Sequence, residues 1–195
     1  MREGPFFPLF VDLSAKRILV VGGGAVALRK TRTILRFCRQ VTVVAPEIRP
    51  EFYELREALR GRQTAAAPAG QCCKAADMSG KEGTDQPDGA SAAGPSGAQE
   101  QDEKIKILVR EYEPSDLEGI DLAIVATDAA GLNAEIAAQC AARGILKNVA
   151  SDRALCDFYF PAVVEQEGVV IGIGSGGNPA LTRKVREHLE KLQRT

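Results

Sequence analysis

The chain has 195 residues, of which 45% are hydrophobic, and its 25 basic and 26 acidic side chains give a formal net charge of −1. A chain of this length forms one domain, or one domain with a small addition, and its balanced charge excludes an overall field that attracts nucleic acid or a membrane surface. No apolar stretch approaches the roughly 20 residues that cross a bilayer, and the N-terminal residues lack the apolar centre of a signal peptide. The five cysteines show neither a disulfide framework nor the spacing of zinc ligands. We therefore expect a cytoplasmic protein with no nucleic-acid or membrane partner.

Residues 17–45 predict a strand, a glycine-rich turn, a helix and a second strand. Gly22, Gly24 and Ala27 form a G-x-G-x-x-A motif directly after the apolar run 18–21, and this context is the one in which the motif indicates dinucleotide binding. Gly22 permits the tight turn, Gly24 lets the backbone approach a pyrophosphate, and Ala27 keeps the helix close to the strand. Free amides and the positive end of the helix dipole then face the phosphates. The alternative is a glycine-rich turn in an α/β domain that binds no phosphate.

Residues on both sides of this turn complete the predicted cofactor site. They are the first helical residues and the pair that follows the second strand, namely Ala25, Val26, Pro46 and Glu47. The acid that usually binds the ribose 2′-hydroxyl is expected at the end of the second strand, where this chain has Ala45. Glu47 supplies a carboxylate slightly further along the chain and favours NAD, whereas the neighbouring Arg49 leaves NADP as an alternative.

Residues 62–104 differ in composition from the rest of the chain. They are rich in Ala, Gly, Ser, Pro, Gln and acids, and they contain almost no large apolar side chains. Such a segment cannot bury enough apolar surface to offset the entropy lost on ordering, so we predict that it is disordered. Because the entropy of loop closure grows slowly with loop length, this insertion between a helix at 50–60 and a strand at 107–110 should leave the fold intact.

The alternation of strands and helices resumes after the insertion. Residues 121–126 predict a buried strand, and Thr127 and Asp128 follow at its carboxyl end, where open α/β sheets bind ligands. A helical pattern over 132–141 ends at Gly144, and residues 145–149 predict another strand. The alternation predicts a Rossmann-like α/β fold, in which helices cover both sides of a parallel sheet. We expect residues 1–150 to form this fold as an NAD-binding domain.

Residues 151–195 predict a smaller second unit. Two apolar runs flank a polar turn at 165–168, and a glycine-rich loop then leads into a helix at 180–192, with Asn178 as its cap and Pro179 in its first position. A two-stranded unit alone is marginally stable in water. We therefore expect this strand pair and helix to be a dimerisation segment that pairs with its copy in a homodimer.

Four sequence motifs now allow a comparison with a known family. In chain order they are FPLFVDLSAKRILVVGGGAVALRK, ATDAAGLN, NVASDRALCDFYFPA and GSGGNPALTRKVREHLE. Outside the insertion, the chain resembles the precorrin-2 dehydrogenases, which also occur as the N-terminal module of siroheme synthases. The resemblance implies an oxidoreductase for the NAD-dependent dehydrogenation of precorrin-2 to sirohydrochlorin, in sirohaem or cobalamin biosynthesis.

The tetrapyrrole substrate that this resemblance implies has many carboxylates, and the chain has groups that suit them. Ser175 and Gly176 lie beside a predicted helix N-terminus, where backbone and hydroxyl donors bind anions. Arg183 on that helix can add charge-assisted contacts. The alternatives are an ordinary loop and a solvated helix face. We expect Asn148 to fix the neighbouring loop through side-chain hydrogen bonds.

The resemblance also implies where the catalytic group lies. Relatives have a carboxylate in an NVxD-type motif, and its implied role is that of a general base, which takes a proton as hydride leaves for the nicotinamide. At the matching position this chain has Ser151, followed by Asp152. Either Asp152 replaces the carboxylate while Ser151 orients the substrate, or Asp152 is a turn or cap residue.

Two other functions stay open at this point. One is a chelatase that inserts Fe²⁺ or Co²⁺ into sirohydrochlorin, and the other is a module that binds NAD without catalysis. Larger relatives continue with a further helical region after the basic helix, whereas this sequence ends at Thr195. We therefore expect part of the substrate wall to be absent or to come from a second copy, which weakens the chelatase interpretation. A metal site in the protein is not predicted, because the lone His188 cannot build one without carboxylates or thiols.

Overall fold

The computed structural model describes residues 7–63 and 103–192. Its larger part is a five-stranded sheet in the order β3-β2-β1-β4-β5, in which every neighbouring pair is parallel. The strands are β1 (Leu13–Val21), β2 (Cys38–Ala45), β3 (Ile105–Val109), β4 (Leu122–Val125) and β5 (Leu146–Val149). The strand order reverses its direction between β1 and β4, and the carboxyl ends of these two strands border the crevice where open α/β sheets bind ligands.

Helices cover both faces of this sheet. Helices α1 (Ala25–Ile34) and α2 (Pro50–Gln63) pack on one face and α3 (Ala130–Ala142) packs on the other. Side chains of β1 alternate between the two cores, since Ile18 belongs to the core under α1 and Leu19 to the core under α3. Burial on both faces explains why the central strands are continuous apolar runs. The predicted Rossmann-like fold is confirmed.

Several elements extend further than the sequence patterns indicated, whereas β4 and β5 are slightly shorter than the strands predicted at 121–126 and 145–149. Strand β1 begins at Leu13 rather than at residue 18, β3 begins at Ile105 rather than at residue 107, and α2 continues to Gln63 rather than ending at residue 60. Ile105 pairs with Val41 of the neighbouring strand. Pairing with β2 therefore extends β3 toward its N-terminus, beyond the residues for which the sequence pattern predicted a strand. Most of the predicted insertion, residues 64–102, lies outside the described residues.

The C-terminal part forms a second, separate sheet. Strands β6 (Ala162–Gln166) and β7 (Val169–Ile173) are antiparallel, and α4 (Pro179–Leu192) packs on them. The amide of Leu181 donates to Asn178 Oδ1 at 3.0 Å, so the predicted cap of α4 is confirmed. An ion pair of 2.6 Å between Arg36 and Glu165 joins the turn after α1 to β6. The division of the chain at residues 150 and 151 into two domains stays a prediction.

Within the described residues, no helix is both long and apolar enough to cross a membrane.

Candidate functional site

The three glycines after β1 have different structural roles. Gly22 has a φ of 127°, and a Cβ on it would overlap the carbonyl of Ala126. A Cβ on Gly23 would overlap the carbonyl oxygen of Glu47. Around the Cβ position of Gly24, by contrast, nothing lies within 4 Å. Gly22 and Gly23 are therefore required by the packing of the chain itself, whereas Gly24 leaves open space on the outer side of the turn.

This open space adjoins the N-terminus of α1. Gly24 is the N-cap of the helix and gives it no side-chain hydrogen bond, and the first turn contains no acidic residue. Ala25 and Val26 are exposed at the start of the helix, whereas Ala27 is fully buried against the sheet, as the motif predicts. The first amides of a helix have no partner within it, so this end of α1 has the donors and the dipole that bind phosphate.

The loop after β2 lies against the same turn. The amide of Arg49 donates to the carbonyl of Gly23 at 3.1 Å, and Pro46 and Glu47 are exposed beside it. The guanidinium of Arg49 pairs with Glu51 at 2.6 Å, and this hydrogen bond raises the pKa of Arg49 above its ordinary value. The structure thus places Glu47 near the glycine turn and pairs the cation that would favour NADP with a carboxylate.

At the end of β4, a buried asparagine fixes the next part of the site. Asn133 in α3 is 1% exposed, and its Oδ1 accepts from the Thr127 hydroxyl at 2.6 Å and from the Thr127 amide at 3.3 Å. Its Nδ2 donates to the Thr127 carbonyl at 2.9 Å and to Ser151 Oγ at 3.1 Å. Asn133 therefore joins the loop after β4 to the loop after β5. Asp128 is exposed next to Thr127.

Asn148, near the end of β5, forms a second link. Its Nδ2 donates to the Phe158 carbonyl at 2.8 Å, so it holds the following loop as expected. Its Oδ1 accepts from Lys30 Nζ of α1 at 2.8 Å, and this ammonium lies 4.2 Å from the ring centroid of Phe160. Burial lowers the pKa of Lys30 to about 8. The link connects the helix of the glycine motif with the loop that contains Ser151.

The loop after β5 also fixes Asp152 and Cys156. Asp152 Oδ1 accepts from the amide of Ala154 at 2.8 Å and caps a short 3₁₀ helix, Arg153–Leu155. The buried thiol of Cys156 lies 3.2 Å from both the amide and the carbonyl of Val149, and burial raises its pKa. Asp152 thus has the cap role that was one of the two alternatives, and its Oδ2 has no hydrogen bond among the residues that the structure describes.

The glycine-rich loop before α4 lies near the same region. Gly176 and Gly177 have φ values of 62° and 116°, and a Cβ on Gly177 would overlap the guanidinium of Arg153. Ser175 Oγ lies 2.5 Å from the carbonyl of Asn178 and is therefore already engaged within the loop. The groups that can contact a ligand are therefore the backbone groups of Ser175 and Gly176, and not the Ser175 hydroxyl. Arg183 is exposed on α4.

Groups that hold metal ions do not come together in the described parts of the chain, where no three His, Cys, Asp or Glu side chains form a cluster. Asp157, which follows Cys156, instead pairs with the largely buried Lys147 at 2.9 Å.

Sequence reasoning missed Asn133, Lys30 and Gly23. Asn133 lies in the ATDAAGLN motif and shares a helix face with the buried Ile136 and Ala137. A polar side chain on an apolar helix face was the available signal. Lys30 gave no such signal, because a lysine on a surface helix is ordinarily solvated and only the fold shows its contact with Asn148.

Comparison with known proteins identifies the family. A family model described as "Putative NAD(P)-binding" matches residues 9–162. The chain belongs to this family. It is also 34% identical over 188 residues to the siroheme synthase of Chromobacterium violaceum and 36% identical over 186 residues to that of Ectopseudomonas mendocina. These matches cover 96% and 95% of this chain but only 31% and 30% of the two relatives.

A solved structure agrees with the fold of this NAD(P)-binding family member. The structure of SirC, precorrin-2 dehydrogenase, superposes with a TM-score of 0.60 at 20% sequence identity, over 95% of this chain and 70% of that one. The similarity extends beyond the family model, which ends at residue 162, and therefore includes the C-terminal strand pair and helix.

Proposed function

We propose that this chain binds NAD and catalyses the NAD-dependent dehydrogenation of precorrin-2 to sirohydrochlorin. The observation that carries the proposal is the open space at Gly24, beside a helix N-terminus without a side-chain cap. The siroheme synthase relatives and the SirC fold support the choice of substrate.

The residues around the glycine turn suit a dinucleotide. The turn at Gly22, with the amides that follow it at Gly24, Ala25 and Val26, would hold the diphosphate. Pro46 and Glu47 would contact the adenosine ribose. Thr127 and Asp128 would border the nicotinamide, which accepts a hydride in such enzymes. Because Arg49 is paired with Glu51, we propose NAD rather than NADP.

The chain's own residues would bind the substrate and move its proton. Ser175, Gly176 and Arg183 would bind carboxylates of the tetrapyrrole, and Asn148 would hold the loop that contains the catalytic residues. Ser151 contacts the amide of Asn133, which is no base, so Ser151 is poorly suited to remove a proton. Asp152 keeps one carboxylate oxygen for that task, and we propose it as the proton acceptor.

Two measurements on the purified protein test this proposal. Titration with NAD and NADP in a calorimeter should show binding of NAD with the higher affinity. Anaerobic incubation with precorrin-2 and NAD should then yield equal amounts of NADH and sirohydrochlorin, followed by their absorbance. A protein that binds neither nucleotide contradicts the whole proposal.

A module that binds NAD without catalysis is the second candidate. Ser151 in place of the carboxylate of relatives and the cap role of Asp152 favour it. It predicts NAD affinity in the titration and neither product in the incubation, so the same two measurements separate the candidates.

We also propose a homodimer, in the cytoplasm. Leu181 and Val185, one turn apart on α4, are 49% and 38% exposed, and burying them against a second copy would remove apolar surface from water. Sedimentation equilibrium should show a dimer that Leu181→Glu weakens. Glu187→Lys, a charge change at an exposed polar position of the same helix, is the matched control and should leave the dimer intact. A monomer at all concentrations would contradict the proposal.

A further inference from the structure

The hydrogen bonds of Asn133 define the direction of its amide. The Thr127 amide can only donate, so the Asn133 atom that faces it at 3.3 Å must be the oxygen. The Thr127 carbonyl can only accept, so the atom that faces it at 2.9 Å must be the nitrogen. Asn133 is 1% exposed and cannot exchange these partners for water. Its amide therefore has one possible orientation.

This orientation decides what Ser151 can do. The group of Asn133 that faces Ser151 Oγ, at 3.1 Å, is the NH₂ group, which has no lone pair to accept a proton. Ser151 Oγ must therefore accept this hydrogen bond, and its own O–H must point away from Asn133. Ser151 is exposed, and its hydroxyl has no other hydrogen bond among the described residues.

We infer that Asn133 fixes the Ser151 hydroxyl as a hydrogen-bond donor to an oxygen atom of a ligand. Asn133 is the positioning residue and Ser151 the ligand-contacting residue. The inference rests on the proposed function, because it takes the ligands to be NAD and a tetrapyrrole. It gives Ser151 a binding role that a carboxylate at the same position, which can only accept a hydrogen bond when ionised, does not have.

The ligand oxygen belongs to a carbonyl or a carboxylate. Ser151 lies after β5 and is joined through Asn133 to Thr127 after β4, so two ligands can present such an oxygen. One is the carboxamide of the nicotinamide, and the other is a carboxylate of the tetrapyrrole. Both accept a hydrogen bond from a hydroxyl, and separate titrations distinguish them.

The test compares the wild-type chain with Ser151→Ala, Ser151→Thr and Ser151→Asp. Thermal unfolding first establishes that the variants are folded. NAD binding to each protein is then measured in a calorimeter, and sirohydrochlorin binding is measured separately from the polarisation of the fluorescence of sirohydrochlorin. We expect Ser151→Ala to weaken binding about 10-fold for one of the two ligands. Ser151→Thr, which keeps the hydroxyl, should retain affinity. Ser151→Asp should bind that ligand no better than Ser151→Ala, because two acceptor oxygens repel.

A further variant tests the role of Asn133. Asn133→Asp presents an oxygen to Ser151, so the hydroxyl should turn inward and donate to Asp, and the same ligand should bind about 10-fold more weakly. Adding Ser151→Ala to Asn133→Asp should then lower the affinity little further, since both substitutions remove the same hydrogen bond to the ligand. If Asn133→Asp does not fold, the Ser151 series alone decides the inference.

The outcomes separate the inference from the proposed function. If the wild-type chain binds neither ligand, the proposed function and the inference both fail. If the wild-type chain binds and Ser151→Ala binds both ligands equally well, only the inference fails. Binding by Ser151→Asp that matches the wild-type affinity would show that the ligand donates, which overturns the direction assigned here.

Discussion

Lys30 Nζ lies 2.8 Å from Asn148 Oδ1 and joins the second turn of α1 to the end of β5. The first turn of the same helix borders the open space at Gly24, and the loop after β5 contains Ser151 and Asp152. A half-buried lysine thus connects the proposed phosphate end of the site with its proposed catalytic end. Its ammonium is further stabilised by the face of the Phe160 ring, 4.2 Å away.

Burial of Lys30 should make stability depend on pH. Burial lowers its pKa from 10.5 to about 8. Between these values the unfolded chain holds the proton and the folded chain does not, so the contribution of Lys30 to the free energy of unfolding rises with pH. Allowing for solvent screening of a partly exposed group, we expect a rise of about 1 kcal/mol. Urea unfolding at pH 7.5 and pH 10 should show this rise relative to Lys30→Met.

A lysine on the sheet provides the control for that experiment. Lys106 is exposed on β3, so Lys106→Met should keep the pH dependence of the wild-type chain. Equal pH dependence in the wild-type chain and in Lys30→Met would contradict the effect of burial on Lys30.

Gly23→Ala should lower stability, whereas Gly24→Ala should lower NAD affinity. A Cβ on Gly23 would overlap the backbone of Glu47, so we expect Gly23→Ala to lower the free energy of unfolding by about 2 kcal/mol or more. At Gly24 a Cβ meets open space and φ is −83°, so Gly24→Ala should be about as stable as the wild-type chain. If the diphosphate occupies that space, Gly24→Ala should bind NAD about 10-fold more weakly. Unchanged NAD affinity in the stable Gly24→Ala variant would place the diphosphate elsewhere.

The parallel sheet could be predicted from the sequence. Its strands contain apolar runs, which are typical of strands buried on both faces, and its glycines are typical of the turn between the first strand and the first helix of such a sheet. It was less informative about the catalytic loop. Ser151 accepts a hydrogen bond from Asn133, and Asn148 accepts one from Lys30, residues that are 18 and 118 positions away along the chain. No local pattern encodes such pairs. The sequence left two alternatives for Asp152, a cap and a proton acceptor. An aspartate in a loop can accept a hydrogen bond from a nearby backbone amide and can also accept a proton, so its position in the sequence does not decide between them.

Buried thiols should react slowly with alkylating reagents. Burial raises the pKa of Cys38 to about 11 and raises those of Cys140 and Cys156 as well. Only the thiolate reacts, so at pH 8 about one Cys38 in a thousand is reactive even before access is considered. Peptide mass mapping after brief treatment with iodoacetamide should find these three residues unlabelled in the folded chain and labelled in urea. Rapid labelling of Cys38 in the folded chain would contradict its position in the core.

The two roles of Asp152 can be separated by two substitutions. Asp152→Asn keeps an oxygen that accepts from the amide of Ala154, so the cap and the stability should be retained. Asp152→Ala removes the cap and should cost about 1 kcal/mol. If the second carboxylate oxygen takes the substrate proton, Asp152→Asn should lower the rate of sirohydrochlorin formation on the order of 10²-fold, with unchanged NAD affinity by calorimetry. A full rate in Asp152→Asn would leave Asp152 with the cap alone, and the proton acceptor would then have to come from another group near the crevice.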